Sequence, residues 1–327
     1  MDSIFTYEFI DWIEKYHNEN QNDNVFHLLS KNPHAVTFLK RNKQLINWTT
    51  LSSNPHAIQL LEKNLSNINW TYLSSNPNAL RILEFNVDKI NWYHLSSNPN
   101  AIHLLRKHHS KIVWFNLSKN PNAVHFLEKN IDKIDWYWLS GNTNPRAIRI
   151  LEENLDKSVD WGRISMNPNA LHILEQNLDK INWKSLSLNS NPDVIHLFNQ
   201  YPDKVFWNLV SRNPSTIKIF ETHPDKIDWF ALSSNPSAVH LLEKNLDKID
   251  WSNLSMNSNA IHLLKQNQDK VNWRLLFEYN HSIFKKNIDY EFLKQRMDII
   301  REELLINVMH PRRLEKWLNM GGNIDDF

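Results

Sequence analysis

Six histidines hold one place in a repeating pattern: His103, His125, His172, His196, His240 and His262 each stand four residues after an Asn-Pro proline or its stand-in, Ser258. A row of imidazoles could ligate a metal or move protons. Packed helices lie about 8–10 Å apart whereas Zn–N bonds are about 2.0–2.1 Å. Histidines supplied one per repeat are therefore too far apart to share an ion, and neither a metal nor a cofactor is expected. The same place reads Thr37, Gln59, Arg81, Arg149 and Lys218 in other repeats, always polar between apolar neighbours. That marks a solvent face, and Gln59, Arg81, His103, His125, Arg149, His172, His196, Lys218, His240 and His262 are the expected binding surface. The neighbouring pair His108-His109 diverges on any helix or turn and makes no ligand pair.

A second row is aromatic. Trp48, Trp70, Trp92, Trp114, Trp136, Trp161, Trp183, Trp207, Trp229, Trp251 and Trp273 recur with the same period, and Phe26 takes the place in the first unit. Exposed indoles could stack on nucleic-acid bases. Their strict period instead predicts packing between repeats, as core residues whose indole N–H finds a partner.

No other chemistry stands out. The 327 residues contain no Cys, which removes disulfides and thiolate sites, and only 4 Gly, which removes the P-loop and the dinucleotide fingerprint. There is no His-Glu-x-x-His or Gly-x-Ser-x-Gly motif, and Asp and His are spread by period rather than gathered. An enzyme is not expected. A net charge of +1 lacks the basic stripe of a general polyanion binder. No apolar run reaches the roughly 18 residues of a membrane span. The acidic start, Met1-Asp2-Ser3, does not resemble a secretory leader.

The elements that carry these rows follow from the period. The prolines fall at Pro33, Pro55, Pro77, Pro99, Pro121, Pro145, Pro168, Pro192, Pro214 and Pro236, 22 residues apart except around Pro145, Pro168 and Pro192. In one unit Asn69 caps a short helix starting at Trp70. Asn76-Pro77 opens a helix of about ten residues, since proline suits the first helical turn. Asn86, tolerant of the left-handed conformation, closes it. The Asn before each proline suits either a cap or a ladder of side-chain hydrogen bonds. Ala57, Ile58, Leu60 and Leu61 show the apolar stripe, too wide for one contact, so neighbouring units must stack. The expected fold is an all-α, right-handed helical solenoid of about eleven repeats of 22–25 residues. Its expected organisation is a capping helix and polar linker over 1–24, repeats over 25–280, and capping helices over 281–327. The small insertions near Pro145 and Pro192 are expected to bulge without breaking the stack.

The unit Trp-x-x-Leu-Ser-x-Asn-Pro-x-Ala-Ile-x-x-Leu-Glu-x-Asn-x-Asp-Lys-Ile-Asn resembles repeats of uncharacterised proteins from giant DNA viruses of the mimivirus-like group. The ending from His310-Pro311-Arg312-Arg313-Leu314 to Phe327 resembles the ending of those proteins. The alternating helix and short helix is similar in shape to leucine-rich repeat variant proteins, without their Cys-ligated cluster. The 45 Asn fit the AT-rich genome that such an origin implies. The resemblance brings no activity. The expected function is a monomeric, non-enzymatic scaffold binding a host or viral protein, in the infected cell's cytoplasm or the virion rather than secreted. An RNA-binding helical repeat and a virion structural component are the alternatives.

Overall fold

A computed structural model describes residues 5–19 and 24–288. The chain is mostly helical, with many short helices packing in sequence order. It divides into a large unit, Phe9–Phe284, and a small unit that contains residues 5–8 and 285–288.

Two short strands correct the all-α expectation: β1 (Phe5–Phe9) pairs with β2 (Phe284–Ile288). Within the expected capping helix and linker over 1–24, the chain instead forms β1 and then a helix over Asp11–Glu19. Aromatic and polar residues alternate in Phe5-Thr6-Tyr7-Glu8-Phe9, a pattern that suits a strand once a partner backbone is present. That partner lies almost the whole chain away. Beyond β2, the expected C-terminal capping helices lie outside the described residues.

Most repeats add a third short piece, a 3₁₀ turn, to the two helices expected. In the third repeat the Trp helix runs Trp70–Ser75, the Pro helix Leu80–Glu84, and a 3₁₀ turn covers Val87–Lys89. Asn69 Oδ1 accepts the Tyr72 N–H at 3.2 Å, the expected cap. The Pro helix is shorter than the ten residues expected, because its first turn is tight. Asn76 Oδ1 accepts the Asn78 N–H, and the Ala79 N–H bonds three residues back to the Asn76 carbonyl. Only after this 3₁₀-like turn does the α-helix begin. Among the described residues, the one continuous α-helix that starts on the proline is Pro145–Glu152.

The helix end differs from expectation as well. Asn86 has φ −137°, so it is not left-handed. It closes the helix with its side chain, Nδ2 donating to the Ile82 carbonyl at 2.8 Å. Asn64, Asn130, Asn177 and Asn245 do the same in their repeats.

The Asn of the Asn-Pro pair does both jobs the sequence allowed. Its Oδ1 caps its own Pro helix while its Nδ2 reaches the previous repeat. Asn76 Nδ2 donates to the Ser52 and Asn54 carbonyls, at 3.0 and 3.1 Å. Across the described residues the rungs are Asn32, Asn54, Asn76, Asn98, Asn120, Asn142, Asn167, Asn189, Asn213, Asn235, Asn257 and Asn280. All are buried, so each satisfies carbonyls that water cannot reach. At the insertions the jobs are divided between two residues. Asn142 keeps the ladder bonds, while Asn144 caps Arg146 N–H at 2.9 Å and donates to the Pro121 carbonyl. The ladder thus runs through both bulges without a break.

A serine ladder runs beside it. Ser52 Oγ donates to the Trp48 carbonyl at 2.7 Å and accepts the Asn69 N–H of the next repeat at 3.0 Å. Ser30, Ser74, Ser96, Ser118, Ser140, Ser165, Ser187, Ser211, Ser233 and Ser255 accept equivalent N–H groups. Between the two ladders sits a fully covered core of Leu51-, Leu61- and Ala57-type residues, one set per repeat.

The Phe9–Phe284 unit closes on itself. Asn32 Nδ2 donates to the Asn280 carbonyl at 3.2 Å, the first rung bonded to the last. The first helical segment (Asn24–Lys31) packs between the Trp helix of the second repeat and that of the last, Trp273–Tyr279. The expected open stack with a covered end is corrected: the repeat array has no free end. At this junction the serine position is filled by Phe277, fully buried, which cannot accept the N–H of the next unit. Aromatic packing replaces the missing bond. Phe277 lies 5.9 Å from Phe9 and 6.2 Å from Tyr16, and Tyr16 stacks on Trp273 at 3.6 Å. Phe9 also stacks on Phe284 at 4.8 Å, where the Ile10 N–H donates to the Ile283 carbonyl and fixes an antiparallel strand register.

Candidate interaction surface

The Pro helices place the polar row where the sequence puts it. Arg81, His103, Arg149, His172, His196, Lys218, His240 and His262 are exposed, and Gln59 and His125 are half-buried. The row does not gather into one site. Its histidines meet glutamates of the preceding repeat instead: His103 with Glu84, His172 with Glu152 at 3.8 Å, His196 with Glu175 at 3.1 Å, and His262 with Glu243 at 2.8 Å. Gln59 accepts from Lys40 at 3.4 Å. These are exposed cross-repeat surface pairs. Among the described residues no group of three or more His, Asp or Glu side chains is placed to hold a metal.

His125 and His240 make no such pair. At His125, Arg106 takes the place of the glutamate and lies 3.3 Å from the His125 Nε2. Burial first, then Arg106 and Lys129, push the His125 pKa below that of an ordinary imidazole. Two shallow hollows open on this side. One, about 510 Å³, is lined by His103 and Arg106 with Leu80 and Ile102. The other, about 160 Å³, is lined by Arg81, Glu62 and the outstanding Phe85, which is 82% exposed.

The tryptophans are not core, which corrects the sequence reading. Every one from Trp48 to Trp273 is half-buried. Their indole N–H groups also lack the expected partner: none from Trp48 to Trp251 bonds to protein, and none is a buried unsatisfied donor, so they face solvent. The buried apolar place in the Trp helix belongs to the leucine three residues on. Lysines of the same repeat's 3₁₀ turn lie over the rings, Lys89 over Trp70 at 5.0 Å and Lys270 over Trp251 at 4.6 Å, with Lys133, Lys204 and Lys248 alike. Such contacts contribute about 0.5–1 kcal/mol at exposed sites.

Beside the indoles the Trp helices expose further apolar side chains, Tyr72, Tyr93, Tyr137, Met166 and Phe230, and Leu188 does so two residues beyond Trp183–Leu186. Sequence reasoning passed over these because they vary between repeats. That variation was the available signal, since a position freed from packing no longer needs one residue type.

Comparison with protein-family models, curated proteins and solved structures gives no significant match to this chain. Among the described residues no helix is long and apolar enough to cross a membrane.

Proposed function

We propose that the protein is a non-enzymatic interaction scaffold, a helical solenoid whose closed array of repeats presents its Trp-helix face to a protein partner. One observation carries this reading: the buried Asn and Ser rows are used up in ladders and caps and four of the row histidines in cross-repeat pairs, whereas the Trp helices leave Tyr72, Tyr93, Tyr137 and Phe230 exposed without a polar role. Exposed apolar and aromatic side chains on a rigid support are what interface cores use. With the resemblance of the repeat to those of giant DNA viruses, the proposed partner is one of an infected host cell or of the particle.

The test compares partner capture from cell extract by the full chain, by a Tyr93→Ser/Tyr137→Ser variant, and by a variant with the six row histidines changed to Gln. Loss in the first variant alone supports the Trp-helix face. Loss only in the histidine variant moves the surface to the Pro helices. The RNA-binding reading draws on the indole row and predicts a salt-dependent gel shift with single-stranded RNA. The structural reading predicts the protein in purified particles by mass spectrometry.

A further inference from the structure

One stretch of the Trp-helix face departs from the pattern of the others. Lys119 Nζ lies 4.7 Å from the ring centre of Trp138. The Arg163 guanidinium lies 4.1 Å from the same ring and 4.2 Å from that of Tyr137. The three come from successive Trp helices: Lys119 ends Trp114–Ser118, Trp138 lies in Trp136–Leu139, and Arg163 in Trp161–Met166. Gly141 lies beside the guanidinium: a Cβ there would sit in ordinary contact, 3.5 Å from Arg163 Nη1.

Neither cation has a carboxylate. Lys119 and Arg163 take part in no ion pair, and Lys119 Nζ and the Arg163 terminal nitrogens are open to solvent with no protein acceptor. The two flanking acids are committed to caps: Asp135 Oδ1 accepts the Trp138 N–H at 3.0 Å, and Asp160 Oδ1 accepts the Arg163 N–H at 2.6 Å. The other lysines that lie over tryptophans, Lys89, Lys133, Lys204, Lys248 and Lys270, each directly follow an aspartate in sequence, whereas Lys119 follows Ser118. Burial, and then Arg163, hold the Lys119 pKa below that of an ordinary lysine. Two buried polar atoms also lack partners at this spot. One is Arg163 Nε and the other is Oδ1 of Asn116, a fully buried residue one turn before Lys119. Among the described residues no other buried side-chain N or O is left unsatisfied. Unsatisfied buried groups are costly and concentrate where a fold serves a function.

We infer that Lys119 and Arg163 bind the side-chain carboxylates of an acidic peptide segment of a partner protein, an inference that rests on the scaffold reading above. Arg163 takes one carboxylate through its terminal N–H groups, for which a planar fork is suited, and Lys119 takes a second as a point charge. The exposed ring of Tyr137 borders Arg163 and offers its uncovered edge as apolar contact to the peptide between its acids. Nucleic acid fits less well. Arg163 lies over both Tyr137 and Trp138, and Lys119 over Trp138, so these two rings offer a base less face to stack on.

The experiment measures fluorescence anisotropy of a short labelled peptide alternating Glu and Ala, titrated with the full chain. Its Gln analogue and a uridine oligonucleotide serve as the other probes. The Glu peptide should bind, the Gln peptide should bind at least about tenfold more weakly, and added salt should weaken the Glu peptide. Lys119→Gln and Arg163→Gln should each lower its affinity about tenfold or more, and the six-histidine variant should bind as the native chain does. Thermal melting checks the Arg163 variant, whose side chain is packed. Lys119→Gln removes a half-exposed group with no bond to protein and keeps the test decisive if Arg163→Gln unfolds. Equal binding of Glu and Gln peptides, unchanged affinity in Lys119→Gln, or binding of the oligonucleotide in place of the peptide overturns the inference. Partner capture undiminished by Lys119→Gln also overturns it, while leaving the scaffold reading intact.

Discussion

The side-chain amide of Asn32, in the first repeat, donates to the main-chain carbonyl of Asn280, in the last, across 3.2 Å and 248 residues of chain. This bond is the same rung that joins every neighbouring pair of repeats, so the ladder that sets the spacing of the units also closes them.

A rung in the middle of the ladder should be expensive to lose. Asn120 is fully buried, donates to the Ser96 and Asn98 carbonyls at 3.1 and 2.9 Å, and accepts the Asn122 N–H at 3.0 Å. Asn120→Ala strands the Ser96 carbonyl and the Asn122 N–H and leaves the Asn98 carbonyl with the Ala101 N–H alone, for an expected loss of about 2–3 kcal/mol. Asn120→Asp is the sharper probe. A carboxylate facing two carbonyls is disfavoured, so the folded state raises its pKa above the ordinary Asp value of about 3.9. Stability of that variant should be greatest below about pH 4 and fall as pH rises through the raised pKa. Urea unfolding at several pH values reads both effects, and a pH-independent Asn120→Asp would contradict the assigned bonds.

At the closing junction, restoring the repeat's usual residue should do harm. Phe277→Ser gives the last repeat its missing serine but removes the ring that packs with Phe9, Tyr16 and Trp273. Loss of a buried phenylalanine costs about 3–5 kcal/mol, more than one new hydrogen bond of about 1 kcal/mol returns. Thermal unfolding should show a clear drop, and a rise would mean that the junction needs the hydroxyl more than the ring.

The same junction should weaken in acid. His281 lies 5.8 Å from His34 between ring centres, its Nδ1 3.3 Å from Asn32 Oδ1, and the His34 Nδ1 lies 3.3 Å from the His281 carbonyl. Burial, and then His34, hold the His281 pKa below the usual 6.5. The unfolded chain therefore takes up its proton first, and stability falls as pH drops below about 6.5. A second loss follows at lower pH, as the unfolded chain takes up a proton at Glu278 near the ordinary glutamate value of about 4.3 before the folded chain does. The hydrogen bond with Lys31 at 2.6 Å holds the Glu278 pKa below its ordinary value. Unfolding titrations from pH 8 to pH 4 should show the first loss in native protein and a smaller one in His281→Gln.

The indole row should be visible to solvent. Half-buried tryptophans with open N–H groups predict intermediate emission wavelengths and quenching by acrylamide that reaches most of the signal. Emission typical of a dry core, unaffected by acrylamide, would place the rings inside.

By contrast, the six row histidines should matter little to stability. Exposed ion pairs such as His196–Glu175 contribute about 0–1 kcal/mol each. A variant carrying Gln at all six should melt close to the native temperature. A large drop would make the row a structural belt.

Much of this was legible in the sequence because it is local or strictly periodic. The caps at Asn69 and Asp135 follow from a short polar side chain before a helical turn, and the exposed place of His103 and His196 follows from helical spacing. The double role of Asn76 was half legible, since capping needs only its own helix while the ladder needs the carbonyls of Ser52 and Asn54 one repeat back.

What the tertiary structure alone decided are the relations that no local rule contains. Closure depends on the small rotation from each repeat to the next, which side-chain packing on both faces sets and which a 22-residue period does not encode. The N-terminal segment became a strand because β2 supplies a backbone partner that appears only after the array has turned back to its start. A tryptophan's depth depends on what covers its two faces, and here Leu51-type residues fill the core while Lys270-type residues cap the rings from outside. Lys119 and Arg163, 44 residues apart in sequence, meet over one indole because successive repeats stack at fixed register.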